Sequence, residues 1–382
     1  MATFPVALRS RLGSLPARPP SPLVVVMLHT LALSSPAVPA LDVSPAPAAV
    51  ASEHVLDYRP DFPIKGTFIY LWQQNPLHDG VWRYWDDGTT PDSRPPVRWN
   101  SRSLPDIDPA IFDPQTELYS GQDEAAQRWI VAQLTRARMD LAISSWWGPG
   151  HRTDVALEKL LGILEAPDSP NPLLRVAAYY EMEGFEDPGT KRLKRDLRYL
   201  RDRIADRPNY LRIDGRPVVF VYGTDEDGFD MPGRWEVAQK LGFFTVLRVF
   251  GYGLYRMSPY QPDAWHDYRP AVRMVRTRDA ISVSPGFFAV TEDAPRLPRD
   301  SRAFAAASRR ALMEARSQGA RFVLWTTGNE DGEGTGYFPQ TRLIRVGEDR
   351  VADPDAGPSD REVAILERIL PPLPEVVFDQ DA

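Results

Sequence analysis

Two carboxylates lie three residues apart in WTTGNEDGEGT, Trp325 to Thr335, where the apolar run RFVLW gives way to glycines and small polar residues. Carboxyls placed this way can bind hydroxyls or pass protons, although an isolated Glu–x–x–Glu pair is more often solvated loop charge. Glu330 and Glu333 are not isolated in pattern. Other apolar runs also end in polar or aromatic groups: one at Trp72, one in SSWWGPG with Trp146 and Trp147, one in YYEMEG with Glu181 and Glu183, one at Tyr222, and one in SPGFF. Carboxylates ringed by Trp and Tyr suit a sugar, because flat aromatic faces cover the apolar face of a pyranose.

Other chemistries find less support. The chain has no cysteine, which excludes disulfides, thiolate metal sites and a cysteine nucleophile. Its five histidines are scattered without metal-ligand spacing. No Gly-x-Ser-x-Gly elbow is present. DEDGFD at 225–230 lacks the spacing and terminal Glu of a calcium loop and reads as solvated. No cofactor and no metal are expected. A net charge of −7 gives no basic excess to hold a phosphate backbone, so nucleic acid is excluded as a partner.

The elements that must position these groups follow from the apolar runs. TFIYLW (67–72), DLAISSWW (140–147), LLRVAAYYE (173–181), PVVFVY (217–222), FFTVLRVF (243–250), AISVSP (280–285) and RFVLWTT (321–327) lack clean alternation, as strands buried on both faces do. An eighth strand is weakly marked at AWHDY, Ala264 to Tyr268. Helical patterns lie between them. One starts at Asp123 with Trp129, Ile130, Leu134 and Ala137 on one face. Another carries Leu193, Leu197, Leu200 and Ile204, with Asp196 and Asp202 lacing an exposed basic side. A third runs from Ser301 to a C-cap at Gly319. The alternation predicts βαβ units closing a (β/α)8 barrel, whose strand ends share one chemical face. An open doubly wound sheet is the rival, but QQNPLHDG after the first strand is no phosphate loop. The long aperiodic segment Gly80 to Leu118 is expected to build part of the active face.

Residues 1–40 hold Arg9, Arg11 and Arg18, then the apolar PLVVVMLHTLAL, then small residues ending SSPAVPA. That order predicts a secretory signal, with an uncleaved anchor as the alternative. Its removal takes the net charge from −7 to −10. The expected organisation is a leader at 1–40, a Pro/Ala-rich linker at 41–53, a catalytic barrel at 54–349 and a tail at 350–382 with a short helix in DREVAILERIL. A secreted location and no lasting membrane insertion follow.

Several stretches, in this order, resemble glycoside hydrolase family 99, the endo-acting α-mannosidases and α-mannanases. They are FIYLWQQNP with DGVWRYW, LYSGQD, ISSWWGPG, YYEMEG, GRPVVFVY, SVSPGF and NEDGEGT, spanning about Phe68 to Thr335. The resemblance implies a metal-free (β/α)8 barrel acting on an oligo- or polysaccharide. It implies Glu330 as the base toward a sugar 2-hydroxyl and Glu333 as the acid/base at the glycosidic oxygen, with reaction through a 1,2-anhydro sugar. Trp72, Asn75, Trp146, Trp147, Glu181, Tyr222 and Asn329 are the expected substrate-binding residues. The chain departs from the family pattern at Gln73–Gln74, Met182–Glu183, Asp331–Gly332 and Gly336–Tyr337–Phe338. These departures fall in the sugar-contacting lining, so a glycosidase of this type is implied more firmly than its sugar. A non-catalytic sugar-binding barrel and a polysaccharide-assembly domain are the alternatives. Retention of both glutamates favours hydrolysis over the first, and the leader argues against the second.

Overall fold

A computed structural model describes residues 60–81, 83–84, 103–105, 119–184, 188–223, 230–249, 252–289, 294–346, 349–352 and 360–374. The expected leader, the linker, most of the Gly80–Leu118 segment and nearly all of DEDGFD lie outside the described residues. Eight parallel strands carry the architecture: β1 (Ile64–Ile69), β2 (Leu141–Trp146), β3 (Arg175–Tyr180), β4 (Arg216–Val221), β5 (Phe244–Arg248), β6 (Ala264–His266), β7 (Ala280–Val283) and β8 (Phe322–Trp325). Strands adjacent in sequence are adjacent in space, and β8 returns to pair with β1, Gly66 opposite Leu324. The sheet is the expected (β/α)8 barrel with one seam. Between β6 and β7 side chains bridge instead of a ladder: Trp265 N donates to Asp279 at 3.0 Å, and Thr277 Oγ1 donates to Trp265 O at 2.6 Å.

Alternation along each strand sorts its side chains between two cores. Phe68, Ile143, Tyr179, Phe220, Val246 and Leu324 fill the barrel. Ile69, Trp146, Tyr180, Val221, Leu247 and Trp325 face the helices. Both sets are buried, which is why the sequence runs look continuously apolar.

The helices are α1 (Glu124–Arg136), α2 (Arg152–Glu165), α3 (Thr190–Tyr199), α4 (Asp230–Lys240), α5 (Ser301–Gln318) and α6 (Arg361–Ile369). Their ends follow local chemistry. Asp123 caps α1 by accepting from Ala125 N, and Asp300 caps α5 by accepting from Arg302 N and Ala303 N. Gly319 ends α5 at φ 69°, a left-handed position that suits glycine. Leu193, Leu197, Leu200 and Ile204 are all buried, the last two on a π-helical turn that continues α3. Asp196 corrects the expectation of a solvated face. It is fully buried, accepts from Tyr180 Oη at 3.0 Å and pairs with Arg195 at 2.9 Å.

The chain after the barrel is not a loose appendage. Gln340–Val346 pairs antiparallel with both Asp349–Ala352 and Ser103–Pro105. Helix α6 packs on α5 and α1 and buries Val363, Leu366 and Leu370 in the helix-layer core. Arg136 of α1 ties it down through Asp360 at 2.5 Å and Glu367 at 3.1 Å.

Candidate active site

Glu181 follows β3 directly and continues the inward register of Ala177 and Tyr179. It is therefore delivered to the top of the barrel interior, where it is buried. Its backbone N donates to Trp146 O at 3.1 Å. Its carboxyl hydrogen-bonds the Ser145 hydroxyl, and Ser145 Oγ also accepts from Trp147 Nε1 at 3.1 Å. Glu181 Oε1 has no hydrogen-bond partner among the described residues. Loss of water pushes the Glu181 carboxyl up to about 8. Ser145 and the Arg248 guanidinium oppose that shift, and the charge of Glu333 adds to it. A carboxyl in this state is mostly protonated near neutral pH and can donate a hydrogen bond.

The loop after β8 closes on itself. Thr327 N donates to Thr335 O at 3.1 Å, and the two threonine hydroxyls lie 3.0 Å apart. Glu330 N donates to Thr327 Oγ1 at 2.9 Å, while Glu330 O accepts from Thr335 N and Gly336 N, each at 3.1 Å. This ring turns the Glu330 carboxylate back over the loop, where Oε1 accepts from Gly332 N at 3.1 Å. Both Glu330 and Glu333 are half-buried. Glu330 is held well above the usual carboxylate range, first by loss of water and then by the charges of Glu333 and Asp331. Backbone N–H groups of Glu333 and Gly332 pull it back.

Three carboxyls thus converge on one group of tyrosines. Glu181 and Glu330 both act electrostatically on Tyr70, Glu181 and Glu333 on Tyr179 and Tyr222, and Glu330 and Glu333 on Tyr268. Tyr70 Oη and Tyr268 Oη are 3.1 Å apart, linking the ends of β1 and β6. The Arg248 guanidinium lies 4.2 Å from the Tyr222 ring centroid and donates to Gly223 O at 2.7 Å. An aromatic wall stands beside it. Trp72 stacks on Tyr84 at 5.2 Å with a 13° interplanar angle, meets Tyr70 at 4.5 Å and Trp147 at 6.3 Å. Flat apolar faces beside carboxyls and phenols fit a polyhydroxylated ring, whose C–H faces stack while its hydroxyls bond.

The expected site residues divide. Glu330, Glu333, Glu181, Tyr222, Trp72 and Trp147 come together. Trp146 does not. Its register points it to the helix layer, where it is fully buried and its Nε1 donates to Asp154 Oδ1 at 2.8 Å. Asn75 caps the short helix Pro76–Asp79, accepting from His78 N at 2.9 Å. Asn329 clamps the end of β1. Its Oδ1 accepts from Tyr70 N at 2.9 Å, and its Nδ2 donates to Tyr70 O at 2.7 Å and Tyr119 Oη at 2.8 Å. Glu183 is buried and paired with Arg234 of α4.

Sequence reasoning missed Tyr70, Ser145, Arg248 and Tyr268. A signal existed for each. All lie on the inward register near a strand's C-terminal end, and Arg248 is a cation inside an otherwise apolar run. Among the described residues no cluster of His, Asp or Glu could hold a metal ion, and no helix is long and apolar enough to cross a membrane.

Residues 63–236 match the model of glycosyl hydrolase family 99. The match takes in β1 to β4 and ends before the Glu330–Glu333 loop. The endo-alpha-mannosidase of that family from Bacteroides thetaiotaomicron superposes with a TM-score of 0.61. At 18% identity the alignment covers 80% of this chain and 95% of the enzyme in its complex with bis-tris-propane. A second structure of that enzyme gives 17% identity with the same TM-score and coverage. These likenesses show the shared barrel. No curated protein matches the chain.

The Glu181 environment predicts a pH signature. Its folded-state affinity for the proton is raised, from 4.5 to about 8, so its stabilising effect is complete below the unfolded value and is lost as pH rises through the folded one. Glu181→Gln stays neutral throughout. Urea unfolding should show wild type losing stability relative to the variant between about pH 5 and about pH 9, with a slope approaching about 1.4 kcal/mol per pH unit. An unchanging difference across that range would mean that the folded protein holds Glu181 ionised.

Proposed function

We propose that this chain, a family-99-like glycoside hydrolase, cleaves an α-mannosidic linkage in an oligo- or polysaccharide with retention, the sugar's own 2-oxygen displacing the leaving group. The observation that carries the reading is the closed β8 loop, which brings Glu330 and Glu333 within electrostatic reach of Glu181 and of tyrosines at the strand ends, with Trp72 packed on Tyr70. Retaining glycosidases that use a carboxylate nucleophile place their two carboxyls on opposite sides of the scissile bond, about 5–5.5 Å apart. Two carboxyls on one short loop suit a different division of labour.

In the first step Glu330 takes the proton from the 2-hydroxyl. The 2-oxygen forms a bond to the anomeric carbon as the glycosidic C–O bond breaks. Glu333 gives its proton to the leaving oxygen. The product is a 1,2-anhydro sugar, with Glu330 protonated and Glu333 ionised. In the second step Glu333 takes a proton from water, the water oxygen attacks the anomeric carbon, and Glu330 returns its proton to the 2-oxygen. Two inversions give net retention.

The electrostatics support these roles. A sugar hydroxyl is a weak acid, so its base needs a high proton affinity, and burial raises that of Glu330. The 2-oxygen must lie trans to the leaving group, which an α-mannoside satisfies and an α-glucoside does not. The structural relatives' naming as endo-alpha-mannosidases points the same way. A non-catalytic sugar-binding barrel is the competing reading, and the presence of both carboxyls speaks against it. The basic, apolar and small-residue order of residues 1–40 supports a location outside the cytoplasm.

Glu333→Gln should lower kcat about 10²–10⁴-fold on natural glycans and far less on substrates whose leaving group needs no proton. Equal losses on both would remove Glu333 from the acid role. Incubation with an activated 2-fluoro glycoside should leave no covalent adduct by intact-protein mass spectrometry, because the nucleophile is missing from that substrate. A stable mass gain mapping to Glu330 or Glu333 would make that residue the nucleophile. Expression in a secreting host should release a chain whose N-terminus lies near Leu41, whereas a membrane-bound chain with its leader intact would identify an anchor.

A further inference from the structure

The Glu333 backbone is held from the side of β7. Phe288 N donates to Glu333 O at 2.9 Å. The carbonyls of Gly334 and Gly336 then both accept from one side-chain nitrogen, Arg299 Nη2, at 3.1 and 2.6 Å. Arg299 immediately precedes Asp300, the N-cap of α5. Its other terminal nitrogen, Nη1, lies 3.6 Å from Glu362 Oε2 on α6, and Ser301 Oγ reaches Glu362 Oε1 at 3.4 Å. Glu362 is only 6% exposed, so its charge is screened little by water.

The packing around this link leaves little slack. A Cβ on Gly286 would sit 3.2 Å from Arg299 Cα, and Gly334, at φ 60°, would bring a Cβ within 3.0 Å of Phe288 O. The segment bearing Arg299, the loop after β7 and the loop bearing Glu333 are therefore packed directly against one another. The planar guanidinium suits the task, since its fixed fork can point toward two carbonyls on one edge and a carboxylate on another.

We propose that Arg299, oriented by Glu362 of the C-terminal helix, is a positioning residue that fixes where the Glu333 carboxyl points. The inference rests on Glu333 being the proton donor, and it makes the chain beyond residue 350 part of the catalytic apparatus. Residues 360–370 are bound to the barrel by their own apolar contacts, so α6 supplies a fixed anchor for the Arg299–Glu362 link. Misplacing a reacting group by about 1 Å can cost on the order of 10²-fold in rate.

The test is steady-state kinetics of Arg299→Ala, Arg299→Lys and Glu362→Gln on natural and activated leaving groups, with thermal unfolding of each variant. Arg299→Ala should lower kcat about 10- to 100-fold on the natural glycan, shift KM less than about 3-fold, and act much less on the activated substrate. Arg299→Lys should recover part of the loss. The double variant with Glu333→Gln should be no slower than Glu333→Gln alone, because two changes acting through one group do not add. Equal loss on both leaving groups, or a double variant slower by the product of the single effects, overturns the proposal. If Arg299→Ala does not fold, Glu362→Gln is read by the same two criteria. If Glu333→Gln itself shows no leaving-group dependence, the acid assignment fails. If it shows that dependence and the Arg299 and Glu362 variants do not, the positioning role alone fails.

Discussion

A side chain on one of these strands has only two destinations, the barrel interior or the helix layer, and both exclude water. Everything at the chemical end of the molecule follows from that restriction. Successive residues alternate, so the last inward positions of the strands form a ring around the barrel mouth. Tyr70, Trp147, Glu181, Tyr222, Arg248 and Tyr268 occupy that ring or continue its register. Their immediate neighbours, Trp146 and Tyr180, go the other way and are secured in the helix layer by Asp154 and Asp196. Leaving a buried polar group unsatisfied costs about 1–3 kcal/mol, more when it is charged. The ring answers this cost in two ways. It pairs its groups, as Ser145 does with Trp147 and Glu181, or it lets a carboxyl keep its proton, as Glu181 does.

The same constraint explains what could be read before the fold was known. Double burial makes strand runs continuously apolar, so seven of the eight strands stand out, and Asp123 and Gly319 mark helix ends by local chemistry alone. β6 was faint because it is three residues long, too short to make a run. The carboxyl pair and Glu181 were legible because they end apolar runs. Trp146 was misplaced because a Trp–Trp pair was treated as one feature, although alternation sends its two members to opposite sides. Asn75 and Asn329 serve the backbone here, a use that nothing local in the sequence distinguishes from binding a sugar. Asp196 reads as solvated because its partner Tyr180 lies on the preceding strand, outside the helix pattern.

Asn329 shows how a side chain can extend the sheet. By accepting from Tyr70 N and donating to Tyr70 O, it satisfies both backbone groups of the residue that follows β1. Its second donation, to Tyr119, ties in the segment that follows the long excursion after β1. Gly121 lies within that segment, and a Cβ there would meet the Leu71 carbonyl oxygen at 2.3 Å. The aromatic wall, the β1 end and the Glu330 loop are therefore fixed to one another by backbone contacts, which gives the carboxyls little freedom to drift apart.

That rigidity gives weight to the chain's departure from the family pattern between its two proposed catalytic glutamates. Between them this chain carries Asp331–Gly332. Asp331 is buried, and its charge raises the proton affinity of Glu330, as that of Glu333 does. Gly332 works in the opposite direction, because its N–H donates to Glu330 Oε1 and stabilises the ionised form. The two residues between the glutamates thus act on the proton affinity of Glu330 in opposite senses. Against three pocket carboxyls and Asp331, Arg248 is the cation that acts on Glu181. A site with this excess of acid holds protons near neutral pH, and protons held on carboxyls beside a glycosidic bond are what an acid/base mechanism consumes and restores.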